Sequence, residues 1–291
     1  MNTGALWALV AAITFAFLQA SNRKTNQLVD AYRTSFGLLV AVEIILLARA
    51  LVTGELGLLL AAPASAVALF GVATFFHFIG GWTLLALSQQ RIGVARTGAL
   101  VASAPLFGTL LAAIFLDEPL TVAIVTGVLL AVVGLVLISL SGKVSDVSVW
   151  RQPWLGLTVA LIWGITPILL RAGFERFDHP VAGLTIGMGV SIPLYALLLT
   201  LWGAWRNGPV PARALRWRMA GGVFGAIAVS AQWISFDLTT IAISITVQQL
   251  SVLFVIALVP LRFKQPFERM NRLFFTGAVA VLAGSITVVL A

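Results

Sequence analysis

The sequence lacks cysteine and is poor in charge, with 18 Lys and Arg and 10 Asp and Glu among 291 residues. Without cysteine the chain can form neither a disulfide nor a thiolate metal site, and its two histidines are too few for a metal centre. We therefore predict no metal. So few charged side chains could not cover the surface of a soluble α/β protein, which excludes that class.

Catalytic and nucleic-acid signatures are also missing. The chain contains no H-E-x-x-H, no G-x-S-x-G and no phosphate-binding P-loop. The net charge is +8, but most Lys and Arg residues stand at the ends of apolar runs and not in a basic stripe with interleaved aromatics. These patterns predict a protein that is not an enzyme, uses no cofactor and binds no nucleic acid.

Long apolar segments are abundant instead. Hydrophobic residues make up 60% of the chain, and the mean hydropathy is +1.05. Each segment is near the length that a helix needs to cross about 30 Å of hydrocarbon. The sequence predicts an all-α membrane protein with ten transmembrane helices embedded in a lipid bilayer. The ten segments are 4–21, 32–52, 65–88, 92–116, 121–141, 153–172, 181–203, 217–238, 242–263 and 271–290.

Residues in the two halves match at a separation of about 150 positions. Glu118 corresponds to Glu268, and Trp82 corresponds to Trp233. The same register aligns Leu87 with Leu238, Ile92 with Ile243, Gly127 with Gly277, and the Ala8-Ile13-Thr14 pattern with Ala160-Ile165-Thr166. A register held over most of the chain indicates two copies of one module.

The repeat defines the predicted organisation. Residues 1–141 form the first five-helix repeat, residues 142–152 a linker, and residues 153–291 the second five-helix repeat. Because five is odd, the second copy must be inverted in the membrane relative to the first. We expect two inverted repeats, in a 5+5 arrangement, around a central cavity.

Basic residues predict the orientation in the membrane. The connections between helices 1 and 2, 3 and 4, 5 and 6, 7 and 8, and 9 and 10 carry 15 of the 18 Lys and Arg residues. Only Arg49, Arg171 and Arg176 lie on the other side. Since positive charges concentrate in cytoplasmic loops, this count predicts that both termini lie outside the cytoplasm.

One run of residues resembles a known family. It extends from Ala86-Leu87 through Ala95, Pro105 and Asp117-Glu118-Pro119-Leu120-Thr121 to Gly127 and Gly134. With the two repeats, it resembles the EamA group of the drug/metabolite transporter superfamily. The second copy departs from the pattern, with Ile256 opposite Pro105 and Arg269 opposite Pro119. Family members usually have cytoplasmic termini, whereas the basic residues here predict the reverse.

This resemblance implies a secondary transporter, usually a bacterial inner-membrane exporter of amino acids or other small metabolites. We expect alternating access, with transport outward and driven by protons or by the substrate gradient alone. One alternative is an exchanger of anionic phosphorylated or nucleotide-linked solutes. Another class is a membrane-embedded enzyme or a non-transporting scaffold. The sequence does not predict an oligomeric state.

Two ionisable residues far from helix ends are candidates for coupling. Glu43 lies near the middle of the second segment and His77 near the middle of the third, at similar depth. A Glu/His pair suits proton coupling, because both groups can titrate near neutral pH in a partly dry site. Their alternative roles are structural, with Glu43 neutral or paired and His77 packed among phenylalanines.

Other candidates could line a cavity. Arg96 could hold a carboxylate or phosphate in two parallel hydrogen bonds, or it could snorkel to the membrane surface. Trp82, Trp163 and Trp233 could wall a substrate site or pack against lipid and core. Uncharged amides could join helices or line the cavity, namely Gln19, Gln232, Gln248 and Gln249.

Two local structures are also predicted. Asp117 and Glu118 lie at a helical hairpin, where we expect Glu118 to accept hydrogen bonds at the start of the fifth helix. Pro105, Pro167 and Pro193 are predicted to interrupt the fourth, sixth and seventh helices.

Overall fold

The computed structural model describes residues 2–92, 94–141, 152–255, 257 and 271–291, and this part of the chain contains helices but no strand. Nine of its helices are long and apolar enough to cross a membrane. They are α1 (Thr3–Asn26), α2 (Ala31–Val52), α3 (Ala64–Ile92), α4 (Thr97–Phe115), α5 (Val122–Ser141), α6 (Trp154–Phe174), α7 (Pro180–Leu201), α8 (Ala212–Leu238) and α10 (Arg272–Leu290), with the shorter apolar helix α9 (Ile241–Val255) before the last. The predicted class, an all-α membrane protein, is confirmed.

Parts of the predicted organisation lie outside the described residues. These parts are most of the linker, the repeat residues Glu268 and Arg269, and Ile256. A five-residue helix, Leu56–Leu60, lies in the connection between α2 and α3, and a 3₁₀ turn, Ala204–Asn207, lies between α7 and α8.

Polar side chains fix where several membrane helices begin. Asn2 accepts hydrogen bonds from the N–H groups of Gly4 and Ala5, and Asp30 accepts one from the N–H of Arg33. In the second half of the chain, Thr240 caps α9 and Asn271 caps α10. These side chains satisfy N–H groups that have no partner inside the helix.

Glycines allow a close contact between α5 and α10. A Cβ at Gly127 would lie 2.8 Å from the carbonyl oxygen of Gly284, and one at Gly134 would lie 2.6 Å from that of Gly277. Only glycine allows the backbones to approach so closely. Gly127, the earlier of the two α5 glycines, meets Gly284, the later of the two α10 glycines, so these helices run antiparallel.

Helices α2 and α7 are also antiparallel neighbours. The ring of Tyr32 packs on Trp202 with centroids 5.8 Å apart, and the ring of Phe36 packs on Tyr195 at 5.8 Å. Helix α1 packs mainly on α8 and also on α9, while α6 packs on α3 and α4. Helix α2 packs on α8, and α7 packs on α3.

The connections between helices sort onto two faces. On one face, Arg33 Nη1 donates to the Gly208 carbonyl at 2.6 Å, and Arg91 Nη1 donates to Gln152 Oε1 at 2.8 Å. On the other, Asn2 Nδ2 donates to Thr239 Oγ1 at 2.8 Å. The described parts of the connections that follow α1, α3, α5 and α7 thus share one face, which we name the basic face. The other is the opposite face.

Helix interruptions differ from those predicted. Helix α4 is broken between Val101 and Ala104, directly before Pro105, as expected. Pro167 and Pro193 lie inside the continuous helices α6 and α7, so the predicted interruptions there are wrong. Neighbouring helices support such continuity in membrane proteins. Instead, an unpredicted π-helical segment, Phe75–Trp82, lies in the middle of α3.

Candidate functional site

A narrow crevice lies between α1, α2 and α3 near the basic face. It is built from the second half of α1, the first turns of α2 and the last turns of α3, whose ends meet at that face. Gln19, Asn22 and Asn26 recur at spacings of three and four, which places them on one face of α1. The lining consists of Phe15, Leu18, Gln19, Asn22, Asn26, Thr34, Ser35, Leu38, Trp82, Leu85, Ala86 and Gln89.

Unused hydrogen-bonding capacity is concentrated in this crevice. The Oδ1 atom of Asn26 is buried without a hydrogen-bond partner. Among the described residues, no protein group hydrogen-bonds to the side-chain amides of Gln19, Asn22 or Gln89. Each amide carries both donor and acceptor atoms, so the crevice can bind polar groups of either kind.

Sequence reasoning found Gln19 and Trp82 in this lining but missed Asn22, Asn26 and Gln89. The spacing of Gln19, Asn22 and Asn26 is the signal that could have found them. Asn22 and Asn26 stand beside Arg23 and Lys24, which favoured reading that stretch as the end of the helix. The structure continues α1 to Asn26 and turns both amides toward the crevice.

Apolar walls complete the crevice. The ring of Trp82 is only 6% exposed and meets the ring of Phe78 edge to face, with centroids 4.7 Å apart. Phe15, Leu18 and Leu38 complete the apolar part of the lining around the amides. An indole fixed in this way offers a rigid, flat surface to a bound group.

An aromatic cluster surrounds Trp233, the tryptophan that the sequence register aligns with Trp82. Phe70 packs on Phe174 and Trp233 with centroids 5.8 Å away in each case, and on Phe177 at 6.5 Å. Trp233 is fully buried there. Of the two tryptophans that the sequence register aligns, Trp82 therefore lines the crevice and Trp233 packs in the core.

The opposite face is held by what we call the Arg171 cluster. Arg171 Nη1 donates to the Asp237 carbonyl at 3.4 Å, and Nη2 donates to the Thr239 carbonyl. Arg171 also lies 3.8 Å from the carboxylate of Glu118. Both oxygens of Glu118 accept from the Ile241 N–H, at 3.0 and 2.9 Å. These contacts join α6, the α4–α5 connection and the α8–α9 connection.

Glu118 therefore caps a different helix from the one predicted. It accepts at the start of α9, because its hairpin packs against the α8–α9 connection, while Thr121 Oγ1 accepts from Ile124 at the start of α5. Burial raises the pKa of Glu118 above its ordinary value, although the Ile241 N–H and the charge of Arg171 act in the other direction.

Glu43 and His77 are buried but separate. Each is 7% exposed, and neither Oε2 of Glu43 nor Nδ1 of His77 has a hydrogen-bond partner. In the described chain, no ion pair joins them. His77 lies in the π-helical segment and stacks on Trp163 with centroids 5.9 Å apart, while the Trp163 indole donates to the His77 carbonyl at 3.4 Å.

The remaining predicted residues lie elsewhere. Gln232 donates to Gln248 and so links α8 to α9, while Gln249 follows the last turn of the α9 segment Ile241–Gln248. Arg96 belongs to the helix Val94–Val101, but its side chain lies outside the described residues. The interior thus contains a polar crevice near one face, buried ionisable groups at mid-depth and an ion-paired cluster at the other face.

These features define a multi-pass helical membrane protein with an internal polar site. Residues 2–140 match the EamA-like transporter family, which belongs to the drug/metabolite transporter superfamily. The resemblance to the EamA group is thereby confirmed over the first half of the chain, and the family is one of membrane transporters.

A solved structure named only as a crystal structure of a protein has the same fold, with a TM-score of 0.80 at 15% sequence identity. The alignment covers 100% of this chain and 98% of that chain, so the similarity concerns the whole fold. No curated protein matches the sequence.

Proposed function

We propose that the protein is a secondary transporter that moves small organic metabolites by alternating access. The observation that carries this proposal is the difference between the two faces. A polar crevice lies near the basic face, whereas the corresponding region toward the opposite face is filled by aromatic rings. A carrier that exposes its site to one side at a time needs this asymmetry.

Inverted repeats would provide the second state of this cycle, in which the site is open to the opposite face. Residues 1–141 and 153–291 would be the two five-helix units. Helices α2 and α7, like α5 and α10, hold equivalent places in the two units, and both pairs run antiparallel. The packing of α1 on α8 and α9 is repeated by α6 on α3 and α4. These relations support ten membrane crossings in a 5+5 arrangement.

The Arg171 cluster would be the closed gate of this state. Its contacts connect both units at the opposite face, so solute release on that side requires them to break. In the repeat register of the first and sixth helices, which aligns Ala8 with Ala160, Arg171 corresponds to Gln19. The same register position is thus occupied by Arg171, which makes the closing contact near the opposite face, and by Gln19, which lines the crevice near the basic face.

Proton coupling would use Glu43 and His77, because unpaired ionisable groups inside a membrane protein are costly unless they serve a function. Glu43→Gln keeps the side-chain shape but removes the titratable group. The pH dependence of flux should disappear in this variant while solute binding remains. Unchanged pH dependence in both Glu43→Gln and His77→Gln would return these residues to structural roles.

The cellular setting proposed is a bacterial inner membrane, with the basic face toward the cytoplasm and export as the direction. A reporter that is active only in the cytoplasm should be silent when fused after Ala291 and active when inserted near Gly208. The reverse pattern would contradict this orientation. The positive charge of the connections on the basic face supports it.

Flux from proteoliposomes tests the transport proposal. The purified protein should move members of a panel of amino acids and small metabolites. A Cβ at Gly221 would lie 3.4 Å from Cδ1 of Leu38 and 3.7 Å from Cδ1 of Leu18, both in the crevice wall. Gly221→Leu should overpack this contact, displace the Leu18 and Leu38 side chains that form the crevice wall, and reduce flux at least about tenfold.

Gly57→Leu is the matched control, because nothing lies within 4 Å of a Cβ at that position. It should transport like the unmodified protein. If no solute of the panel moves, or if Gly221→Leu transports normally while folded, the crevice is not the transport site.

A further inference from the structure

We propose that the crevice selects solutes that have no net charge and that combine a flat apolar portion with hydrogen-bonding groups. Its specificity-determining residues are the amides Gln19, Asn22 and Asn26 on α1 and Gln89 on α3, together with Trp82. The inference rests on the proposed transport function for its physiological meaning, but it concerns binding and is tested as binding.

The absence of ionised groups from the lining is the first argument. None of the described residues around the crevice is acidic or basic. Moving an ion from water into such a site without a counter-charge costs several kcal/mol, whereas a neutral polar group can exchange water for the amides. The lining therefore disfavours both anions and cations.

Two nearby arginines are directed elsewhere. Arg33 precedes the crevice residue Thr34, but its guanidinium contacts Asp30 at 2.5 Å and the Gly208 carbonyl at 2.6 Å. Arg91 follows Gln89 by two positions and donates to Gln152 at the basic face. These arginines stand outside the lining and are engaged by protein groups, so they do not supply a counter-charge in the crevice.

The repeat register gives an independent argument. The position of Gln19 in α1 corresponds to that of Arg171 in α6. In α6 the cation is stabilised by Glu118 and two carbonyls. In α1 the neutral amide has no partner among the described residues. The same place on the fold therefore accommodates either a charge or an amide, and the crevice holds the amide.

The flat apolar portion is inferred from the walls. Trp82 is held edge to face by Phe78, and Phe15, Leu18 and Leu38 contribute further apolar surface. Amides and an indole ring within one narrow crevice suit a solute that has both an apolar and a polar part. The apolar part of the solute is stabilised by burial against Trp82, while its polar group hydrogen-bonds to the amides.

Three probes that share one ring and differ in charge test this inference. Benzamide is neutral, benzoate is an anion and benzamidinium is a cation, and their sizes are similar. Binding to the purified protein in lipid nanodiscs would be measured at pH 7 by titration calorimetry and by the fluorescence of the tryptophans. Benzamide should bind at least about tenfold more tightly than either ion.

Introduced charge should reverse this preference. Gln19→Glu should weaken benzamide binding and favour benzamidinium by about tenfold or more, because the new carboxylate supplies a counter-charge. Asn22→Asp offers the same test nearer the mouth of the crevice if Gln19→Glu does not fold. Gln27→Glu is the matched control, since Gln27 is exposed at the end of α1 and should change nothing.

The results separate this inference from the transport proposal. Equal or tighter binding of an ion, binding of none of the three probes, or an unchanged preference in folded Gln19→Glu and Asn22→Asp would overturn the inference. Flux of charged metabolites alone would also overturn it and leave transport intact. Selective benzamide binding without flux of any solute would instead contradict the transport proposal.

Discussion

The crevice lies beside Trp82 and the aromatic cluster surrounds Trp233, the tryptophan that the sequence register aligns with it, yet one region keeps a narrow crevice and the other is filled by rings. Trp82 in α3 and Trp233 in α8 share a register position. In the same register, Phe70 of α3 corresponds to Gly221 of α8. Phe70 fills its region with a fully buried ring, whereas Gly221 adds no side chain and packs against Ser21, Leu38 and Leu18, whose nearest atoms would lie 3.3, 3.4 and 3.7 Å from a Cβ at that position.

This difference lies in the sequence and not only in the conformation. The ring of Phe70 fits because Gly173 and Gly183 lie against it, and a Cβ at either would come within 2.7 Å of a ring atom. Filling the second region therefore required glycines on α6 and α7. We infer that the resting state is biased toward an open crevice near the basic face, with Phe70 stabilising closure toward the opposite face.

Removing the Phe70 ring should have the largest effect. Phe70→Ala deletes a fully buried side chain and leaves a cavity among Phe174, Phe177 and Trp233, so we expect a loss of stability of about 3 kcal/mol or more. Thermal unfolding in detergent would measure it. Phe76→Ala is the control, because Phe76 is half exposed on the outside of α3. Equal stability of the two variants would contradict the packing role of Phe70.

The all-α membrane class could be predicted from the sequence, because membrane helices follow from apolar length, while the two-repeat organisation stays a prediction from register. The site was harder to predict. Gln19 and Trp82 were recognised as polar or aromatic groups within apolar segments. That Trp82 lines the crevice while Trp233 packs in the core depends on which ring fills which space. That difference is set by Phe70 and Gly221, which are ordinary residues for a membrane helix.

Glu118 shows a second limit of sequence reasoning. Its position after an apolar helix and before Thr121 predicted a cap on the next helix, which is the local solution. The structure uses Glu118 for α9, more than 120 positions away, because tertiary packing brings that N-terminus to the hairpin. A carboxylate at a hairpin does not reveal which helix it caps when several helix ends share one face.

Breaking the Arg171 cluster should have an intermediate effect, on access and not on folding. Because the chain lacks cysteine, a single Leu170→Cys reports on the buried counterpart of the crevice residue Leu18. A membrane-impermeant maleimide should label it slowly. Adding Arg171→Gln removes the contacts to Glu118, Asp237 and Thr239, and labelling from the opposite face should become about tenfold faster.

Arg176→Gln controls for loss of positive charge on the same face, because Arg176 lies in the turn after α6 and donates to the Ala172 carbonyl in the last turn of that helix. This variant should be labelled as slowly as the Leu170→Cys parent. Fast labelling in both arginine variants would show a general loosening of the opposite face, and slow labelling in both would remove Arg171 from the gate.

The smallest expected effect is a pH dependence of the same labelling. Burial raises the pKa of Glu118, so its carboxylate takes up a proton at a higher pH than the ordinary value of 4.5. Only the ionised form attracts Arg171 and accepts with both oxygens at α9. The closing contact is therefore complete well above that raised pKa, and it weakens as the pH falls through it. Because the thiolate fraction of every cysteine falls with pH, the labelling of Leu170→Cys should accelerate relative to that of an exposed reference cysteine. Glu118→Gln should give labelling that is faster at neutral pH and that, relative to an exposed reference cysteine, no longer changes as the pH falls. A pH response that persists in Glu118→Gln would assign the effect to another group and leave Glu118 as a cap of α9 alone.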